Sequence, residues 1–378
     1  MRRLVALDLP AGDELVAALR RCLDGGDAVL PLDQRLPTAA KARLVEALAP
    51  HAVVGPDGSS QRRRSARPLE DGDALVVATS GTTGEPKGVV LGADALRASA
   101  LAASARLGVD PGRDRWLCCL PAAHVGGLMV IVRALVTETP LTVLPRFDAD
   151  AVLAEARRGA TLVSLVPTAL GRLGPGAAAF RTVVLGGQAP PAELPGNVVT
   201  TYGMTETASG VVYDGRPLDG VEVRVAPDGE IEVRGPMLLR CYRDGHDPKD
   251  AEGWLRTGDA GTLGADGRLV VHGRIAEVVV TGGEKVWPAA VEAVLGRHPK
   301  VLEVAVAGVP DPEWGARVVA YVVPRPGSPP TLAELRRLVA EELGPVAAPR
   351  QLELRDALPR SALGKVRRAA LAGGTGRD

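Results

Sequence analysis

One short stretch of the chain collects the residue types that hold phosphate. Residues 78–91 read ATSGTTGEPKGVVL and follow an apolar run at 75–77 that is typical of a strand. Glycine lets the backbone turn tightly and approach a ligand closely, so amide N–H groups and hydroxyls can surround phosphate oxygens while an ammonium adds charge. We therefore predict a phosphate-binding loop made of Thr79, Ser80, Gly81, Thr82, Thr83, Gly84 and Lys87.

Two other kinds of phosphate loop do not fit this stretch. A Walker A loop ends in Gly-Lys-Ser/Thr, whereas Lys87 is followed by Gly88 and Val89. A Rossmann GxGxxG motif is absent as well. An ordinary turn is the remaining alternative, but a turn needs only a glycine or two and leaves the hydroxyls and the lysine unexplained.

A second polar segment, TYGMTETASG at residues 201–210, supplies complementary groups. Tyr202 offers an aromatic face for a purine, and Thr205 offers a hydroxyl for phosphate. Glu206 offers a hard carboxylate oxygen of the kind that binds Mg²⁺ together with substrate phosphates. The alternative is a polar loop after a strand, which explains any one of these residues but not the ordered set.

Size and composition bound the class of protein. The chain has 378 residues, more than one hydrophobic core usually organises, so two or more domains are expected. Hydrophobic residues make up 46% and charged residues 24%, the balance of a soluble globular protein. The 45 basic and 45 acidic residues give a net charge of +0, which gives no support for a nucleic-acid or anionic-membrane surface.

The chain also indicates its compartment. Asp8 and Pro10 interrupt any apolar signal region near the N-terminus, and the most apolar later stretch contains Arg133 and is too short to span a bilayer. We expect a cytoplasmic protein with no membrane insertion. The cysteines show no metal-binding spacing and are expected to be reduced thiols: Cys22, Cys118, Cys119 and Cys241.

The elements that must position these groups follow from hydrophobic periodicity. Helical spacing predicts helices over 13–23 and 38–49, and the polar, basic run 59–73 is expected to be a solvated loop, with phosphate binding as the alternative. From residue 74, short apolar runs alternate with Ala- and Leu-rich helical segments, the pattern of a largely parallel α/β sheet.

The second half of the chain has a different pattern of apolar and turn-forming residues. Beyond residue 211, alternating strands joined by Asp-Gly turns predict hairpins and antiparallel sheet. A small α+β domain follows, with expected elements in this order: helix 288–296, strand 301–309, strand 317–323 and helix 331–343. We therefore predict an α/β fold in which a large N-terminal domain of α/β subdomains plus a β-rich module precedes a small α+β C-terminal domain.

Five segments resemble, in order, the motifs of the adenylate-forming superfamily of acyl- and aryl-CoA ligases, luciferases and adenylation domains. The stretch TSGTTGEPKGVV resembles that family's phosphate-binding signature, and TYGMTETASG resembles its second nucleotide motif. The others are GWLRTGD (253–259), GRIAEVVVTGGEKVWP (273–288) and PRSALGKVRR (359–368). The resemblance covers the chain from about residue 75 to the end.

The resemblance implies roles for individual residues. ATP would be bound by the loop at 79–87 and by Tyr202, Gly203 and Thr205, with Glu206 as the Mg²⁺ ligand. Asp259 would bind the ribose hydroxyls, Arg274 would reach ribose or phosphate, and Lys365 would be the catalytic lysine of acid activation. CoA is the second co-substrate, and Gly282 and Gly283 would leave room for its pantetheine arm.

The resemblance also implies two domains and a pivot. The N-terminal domain that binds ATP and the acid would span 1–273, and a mobile C-terminal domain would span 274–378 and rotate around 274–277 between the two half-reactions. The chain departs from the family in two ways. Ala276 stands where the family usually has aspartate or lysine, with Glu277 next, and only about 75 residues precede the phosphate loop.

The acid-binding region should lie between the first two motifs. His124 stands before two glycines at the start of an apolar helix, where the family has a histidine that lines the acyl pocket; the alternative is a capping or core histidine. Arg133 lies nine residues further on, inside the apolar stretch. A buried arginine needs an anionic partner, either a structural carboxylate or a second carboxylate of the substrate.

These features, with the short N-terminus, LVPTAL and YGMTETASGVVYDGRPLDGV, resemble the o-succinylbenzoate–CoA ligases of menaquinone biosynthesis. The substrate would be an aromatic dicarboxylate, with His124, Arg133, Gly186, Gly187 and Ser209 lining its pocket and with His124, Thr205, Glu206 and Lys365 taking part in catalysis. The alternatives are another aryl- or acyl-CoA ligase, an enzyme that loads a carrier protein, a silent nucleotide sensor and an ATPase. A homodimer is compatible with the sequence, but no feature of the sequence indicates one.

Overall fold

The computed structural model describes residues 2–63, 66–80, 86–191, 193–360 and 366–372. Five predicted site residues lie outside these ranges: Gly81, Thr82, Thr83, Gly84 and Lys365. Ser80 lies within them, but its side chain is not described. The chain divides into two compact units, the first formed by 1–224 and 232–256 and the second by 225–231 and 257–378. The domain boundary predicted at 273/274 and the pivot predicted at 274–277 stay predictions. Within the described residues, no helix combines the length and apolar character needed to cross a bilayer.

Strands and helices alternate through the first part of the chain. Its strands are β1 (Leu4–Leu7), β2 (Ala28–Pro31), β3 (Ala52–Val54), β4 (Ser60–Arg62), β5 (Asp73–Ser80), β6 (Pro86–Gly92), β7 (Trp116–Cys118), β8 (Leu141–Val143), β9 (Leu162–Leu165), β10 (Thr182–Leu185), β11 (Val198–Met204) and β12 (Ser209–Tyr213). Its helices are α1 (Asp13–Asp24), α2 (Thr38–Leu48), α3 (Ala93–Arg106), α4 (Val125–Thr137), α5 (Ala149–Arg157) and α6 (Pro167–Leu173).

Strands dominate the rest of the chain. They are β13 (Arg216–Pro217), β14 (Glu222–Val225), β15 (Glu230–Arg234), β16 (Cys241–Tyr242), β17 (Leu255–Leu263), β18 (Leu269–Arg274), β19 (Val279–Thr281), β20 (Glu284–Val286), β21 (Val301–Asp311), β22 (Gly315–Pro324) and β23 (Gln351–Leu354). The helices are α7 (Pro288–Leu295), α8 (Leu332–Leu343) and α9 (Arg368–Ala372). The predicted mixed α/β fold, with a larger N-terminal part and a smaller C-terminal part, is confirmed.

One sheet of the first unit carries the phosphate-loop stretch. Its strand order is β16-β6-β5-β2-β1-β3-β4. The strands β1, β2 and β5 run parallel to one another, whereas β5 and β6 form an antiparallel pair in which Thr79 lies opposite Lys87. The prediction that the stretch follows a strand is confirmed. The prediction missed the strand that begins at Pro86, because Pro86 and two glycines leave β6 only a three-residue apolar run, Val89 to Leu91.

The second sheet of this unit has the order β13-β12-β11-β10-β9-β7-β8. The strands from β11 to β8 pair in parallel, as the alternating pattern predicts, and β12 and β13 add an antiparallel edge. Completely buried strands such as β7 and β9 need helices on the faces of the sheet. The helix α4 is buried over most of its length and packs against this sheet.

The polar run at 59–73 is partly a strand, which corrects the prediction of a loop. β4 pairs with β3 in antiparallel orientation through a turn in which Gly58 has φ 75°. The side chains of β4 are all exposed, as is common for an edge strand. Its polar composition hid it from hydrophobic periodicity, because neither face of β4 is buried.

The predicted hairpins and the predicted C-terminal elements are confirmed. Asp-Gly turns at 228–229 and 266–267 join the strands of a four-stranded sheet of order β14-β15-β17-β18. In the second unit, β21 and β22 pair in antiparallel orientation and β23 adds in parallel. A capping box between Thr331 and Glu334 starts α8. All four cysteines are free, as predicted.

Candidate active site

Two of the predicted nucleotide motifs meet at a tyrosine that the sequence did not single out. Lys87 Nζ lies 5.2 Å from the ring centroid of Tyr242, within the range of a cation–π contact. The Tyr242 hydroxyl donates a hydrogen bond to Glu206 Oε1 at 3.0 Å. Tyr242 lies in β16, the strand that pairs with β6. Aromatic residues make up only 3% of the chain, so a tyrosine was a usable signal, but nothing in local spacing links it to Glu206.

The segment after β11 presents Thr205 and Glu206 through a very close backbone approach. A side chain at Gly203 would lie 2.0 Å from the carbonyl oxygen of Ser209, so only glycine fits there. The next residues form a short 3-10 helix, Thr205–Thr207, whose buried Thr207 hydroxyl donates to the Ser209 carbonyl oxygen at 2.7 Å. This geometry leaves the Thr205 and Glu206 side chains half-buried.

Glu206 is compatible with a magnesium ion, which needs only one or two carboxylate ligands from the protein. Mg²⁺ keeps several waters and usually takes one or two carboxylates together with substrate phosphates. Within the described residues, no group of three or more metal-ligating side chains occurs. One carboxylate held by a tyrosine hydroxyl is compatible with an ion that arrives with a nucleotide.

The start of α4 holds His124 against a carboxylate from the N-terminal part of the chain. His124 Nε2 lies 2.9 Å from Asp33 Oδ2, and Arg35 forms a forked pair with the same carboxylate at 2.9 and 2.7 Å. Burial by itself raises the pKa of Asp33, but hydrogen bonds from His124 and Arg35 outweigh it and hold the pKa below its ordinary value. Asp33 was not predicted, because it lies 91 residues from His124 in the sequence.

Arg133 and Ser209, both predicted acid-binding residues, contact each other. Arg133 is 2% exposed, and its Nη2 donates to Ser209 Oγ at 3.0 Å. Its guanidinium carbon lies 5.8 Å from the ring centroid of the buried Trp116, and Nε has no hydrogen-bond partner among the described residues. Among the residues that the structure describes, no carboxylate forms an ion pair with Arg133, so none of these acids accounts for its burial.

His124 and Arg133 lie apart along the helix. The helix begins at Val125, so His124 stands at its N-terminal end and Arg133 stands nine residues later. Nine residues correspond to about two and a half turns and about 13 Å of rise along the helix axis. No hydrogen bond or ring contact within the described chain links them.

Two further glycines of the predicted acid pocket have structural reasons of their own. A Cβ at Gly186 would lie 2.5 Å from Thr201 Oγ1, and that hydroxyl donates to the Leu185 carbonyl oxygen at 3.1 Å. Gly187 has φ 83°, which favours glycine. Contact of these residues with an acid stays a prediction.

In the second unit, the predicted ribose residues Asp259 and Arg274 are brought together. Arg274 Nε lies 2.9 Å from Asp259 Oδ1, and Arg274 Nη1 donates to the Thr257 carbonyl oxygen at 3.0 Å. The two residues face each other on the antiparallel strands β17 and β18. The arginine therefore fixes the orientation of a carboxylate whose predicted partners are vicinal hydroxyls.

The glycines predicted to admit CoA form the two-residue turn between β19 and β20. Gly282 and Gly283 have φ 57° and 83°, the pattern of a type I′ hairpin turn that only glycine-like residues adopt easily. Gly282 N donates to the Trp314 carbonyl oxygen at 3.0 Å, and a Cβ there would lie 3.1 Å from the Trp314 ring. The turn itself thus requires both glycines, and their contact with CoA stays a prediction.

A charged cluster near the predicted pivot was not predicted. Arg368 lies three residues after Lys365 and opens α9. Its guanidinium donates to Glu277 Oε2 at 2.7 Å and to both oxygens of Glu292 at 2.8 and 2.7 Å. Its Nε also donates to the Val306 carbonyl oxygen at 3.2 Å. Glu277, which follows the unusual Ala276, is therefore held by a cation from the C-terminal motif.

Comparison with known proteins agrees with these motifs. A family model described as AMP-binding enzyme matches residues 55–243, and one described as AMP-binding enzyme C-terminal domain matches residues 290–365. A protein of Mycobacterium tuberculosis named probable 2-succinylbenzoate–CoA ligase is 42% identical to the chain over 393 residues and covers 97% of each. The 2-succinylbenzoate–CoA ligase of Bacillus anthracis is 35% identical over 334 residues, covering 78% of this chain and 69% of its own.

Solved structures match the fold over nearly all its length. The structure of o-succinylbenzoate CoA synthetase (MenE) from Bacillus subtilis in complex with the acyl-adenylate intermediate OSB-AMP superposes with a TM-score of 0.86 at 28% identity, covering 100% of this chain and 89% of its own. The amide bond synthetase McbA from Marinactinospora thermotolerans gives a TM-score of 0.86 at 27% identity, covering 99% and 90%. The chain therefore belongs to the AMP-binding enzyme family, the adenylate-forming superfamily that its motifs predicted.

Proposed function

We propose that the protein is a 2-succinylbenzoate–CoA ligase of menaquinone biosynthesis, with o-succinylbenzoate, ATP and CoA as substrates. The succinyl carboxylate attacks the α-phosphorus of ATP, which forms the acyl-adenylate and releases pyrophosphate. The CoA thiol then attacks the mixed anhydride, forms the thioester and releases AMP. The observation that carries the acid assignment is the buried Arg133, whose charge has no carboxylate partner in the described chain.

The chemistry of the substrate explains why such an arginine is useful. A dicarboxylate presents one carboxylate for activation and a second that must be desolvated without reacting. A buried carboxylate is costly unless it is paired, and so is a buried guanidinium. Arg133 and Ser209 would pair with the second carboxylate. Substrate binding would therefore remove the cost of an unpaired buried guanidinium and avoid that of an unpaired buried carboxylate. His124 would contact the acid at the other end of α4.

On the nucleotide side, the proposal assigns charge neutralisation to several groups. The hydroxyl-rich stretch at 79–84 would surround the phosphates, and Thr205 would donate its hydroxyl to one of them. Lys87 already lies over the ring of Tyr242, which favours a role in steadying the loop over direct phosphate contact. A Mg²⁺ ion, when bound by Glu206 and the phosphates, supplies positive charge that stabilises the triphosphate.

In the second unit, Asp259 would accept hydrogen bonds from the ribose hydroxyls, and Arg274 would keep that carboxylate oriented. Lys365 would stabilise the negative charge that develops during adenylation. Replacing Lys365 by alanine should therefore abolish acid-dependent pyrophosphate exchange but spare thioester formation from preformed acyl-adenylate. Equal loss of both half-reactions would contradict the assignment of Lys365 to the adenylation step alone.

The proposal also includes expectations about assembly and location. The cytoplasm holds both ATP and CoA, so the proposed reaction belongs there. A homodimer is a separate expectation, and light scattering of the purified protein at several concentrations decides it.

The test of the function is coupled AMP production with an acid panel. We expect o-succinylbenzoate to support turnover with CoA, and benzoate and a fatty acid to support much less. Replacing CoA by a carrier protein separates a ligase from an enzyme that loads carriers. Preference for benzoate or the fatty acid would move the protein to another aryl- or acyl-CoA ligase class, and ATP binding without pyrophosphate release would make it a sensor.

A further inference from the structure

The contact between His124 and Asp33 joins the start of α4 to the N-terminal part of the chain. Asp33 follows β2 by two residues, is 6% exposed and lies 2.9 Å from His124 Nε2. The His124 side chain is 26% exposed, so one part of the ring is still accessible while the Nε2 edge is committed to Asp33. Arg35 binds both carboxylate oxygens from the other side.

The protonation state of this pair follows from its partners. The forked pair with Arg35 and the bond to His124 hold the pKa of Asp33 below its ordinary value, so the carboxyl group is ionised near neutral pH. An ionised carboxylate can only accept hydrogen bonds, so the proton in the contact must belong to His124 Nε2. Asp33 therefore selects the Nε2–H form of the neutral ring, and Nδ1 is left as the acceptor.

A second aspartate in the same unit provides a comparison without a histidine. Asp114 is 5% exposed and is bound by Arg181 in the same forked manner, at 2.9 and 2.8 Å. Its remaining side-chain partner is the Thr161 hydroxyl at 2.7 Å. Asp114 is thus a buried aspartate that is paired with an arginine but has no histidine partner, and it serves as the matched control for Asp33.

We infer that Asp33 is a positioning residue that acts through His124, fixing its ring so that the part of the ring away from Nε2 is what the acid meets. The inference rests on the proposed function, since it places His124 beside the acid that is activated. It gives the short N-terminal part of the chain a role in acid activation. Loss of the partners that orient metal-bound histidines usually costs about tenfold or more in activity, and we expect a comparable loss for His124.

Spectroscopy tests the geometry without any substrate. In protein carrying ¹⁵N-labelled histidine, at a pH where the ring is neutral, His124 should show an Nε2 proton whose exchange with water is slowed. The signal is assigned by its absence from His124→Ala. It should be lost in Asp33→Ala, partly restored in Asp33→Asn, which keeps an acceptor oxygen, and unchanged in the matched control Asp114→Ala. A ring protonated at Nδ1 in the unsubstituted protein would overturn the inference.

A double-mutant cycle tests the function. Asp33→Ala should lower kcat/KM for the acid in pyrophosphate exchange by about tenfold or more, yet have an effect of less than about twofold in the His124→Ala background, because the two residues act as one unit. Independent losses that multiply would overturn the inference and make Asp33 a purely structural residue. If no acid supports exchange in the unsubstituted protein, the proposed function fails while the spectroscopic result still stands.

Discussion

Two arginines of this protein, one in each compact unit, are enclosed in opposite ways. Arg133 on α4 is buried against Trp116 and bonds to a single hydroxyl, and no carboxylate of the described chain pairs with it. Arg368 at the start of α9 is bonded to two glutamates and a carbonyl oxygen. Removing one partner of a buried ion pair is costly because it leaves the other charge unpaired, whereas a buried charge without a partner in the fold stays available to a ligand.

A third arginine shows that burial without an acid does not by itself indicate a ligand. Arg243 is 6% exposed and donates to the carbonyl oxygens of Leu48 and Pro68 at 3.0 and 2.7 Å. Burial lowers its pKa to about 10, and the neighbouring Arg67 adds to the effect. Arg133 differs because its Nε has no partner of any kind among the described residues.

The largest expected effect comes from removing the unpaired charge. Arg133→Ala should lower kcat/KM for o-succinylbenzoate by about 100-fold, mainly through KM, because a buried charge-assisted bond to the second carboxylate is lost. The KM for ATP should change little. An analogue that lacks the second carboxylate serves as the control, since the variant and the unsubstituted protein should handle it equally. A comparable rise in both KM values would return Arg133 to a structural role.

The paired arginine should show the reverse behaviour. Arg368→Met leaves Glu292 enclosed without its cation and should lower the free energy of unfolding of the second unit by about 2 kcal/mol. The acid KM should be unaffected. Urea unfolding measures the loss, and Arg367→Met is the matched control, because Arg367 is the exposed neighbour. If Arg368→Met were as stable as Arg367→Met, the ion pairs of Arg368 would not stabilise the second unit, and the contrast with Arg133 would be wrong.

The same variant has a pH signature. Burial raises the pKa of Glu292, while Arg368 acts to lower it, so the variant should raise that pKa further. A raised carboxyl pKa means that the folded state binds more protons than the unfolded state, and stability then falls as pH rises through the window above the ordinary value. The loss in Arg368→Met should therefore be larger by about 1 kcal/mol at about pH 8 than at about pH 5. The opposite trend in urea unfolding would mean that Glu292 is not the group left unpaired.

The smallest effect belongs to the partner hydroxyl. Ser209→Ala removes the one hydrogen bond that orients the Arg133 guanidinium and should raise the acid KM about threefold. Ser209 has φ 94°, so alanine adds little strain beyond that already present. A loss as large as that of Arg133→Ala would show that the serine binds the acid itself.

The order of the elements was predictable, because each rests on local patterns. Hydrophobic periodicity predicted the ends of α7 and α8 to within two residues, and the Asp-Gly turns predicted the hairpins. The edge strand β4 was missed because an exposed strand has no hydrophobic pattern to detect. The five motifs identified the family, since they are contiguous strings of residues in a fixed order.

Side-chain partnerships were not predictable in the same way. Asp33 meets His124, Tyr242 meets Glu206, and Arg368 meets Glu277 across 91, 36 and 91 residues. Such contacts come from how strands and helices pack, and no spacing in the sequence expresses them. Arg133 and Ser209 were both predicted to bind the acid, and Asp259 and Arg274 to bind the nucleotide; the structure brings each pair into contact, which was not foreseen, and their roles stay predictions.

The position of β5 limits how far the protein can be shortened. β5 carries Thr79 and pairs with β2 on one side and with β6 on the other. A truncation at residue 55, where the family match begins, would remove β1, β2 and β3 and leave an apolar strand edge open. Open edges recruit strands from other molecules, so expression of such a fragment should yield aggregates rather than a minimal nucleotide-binding domain.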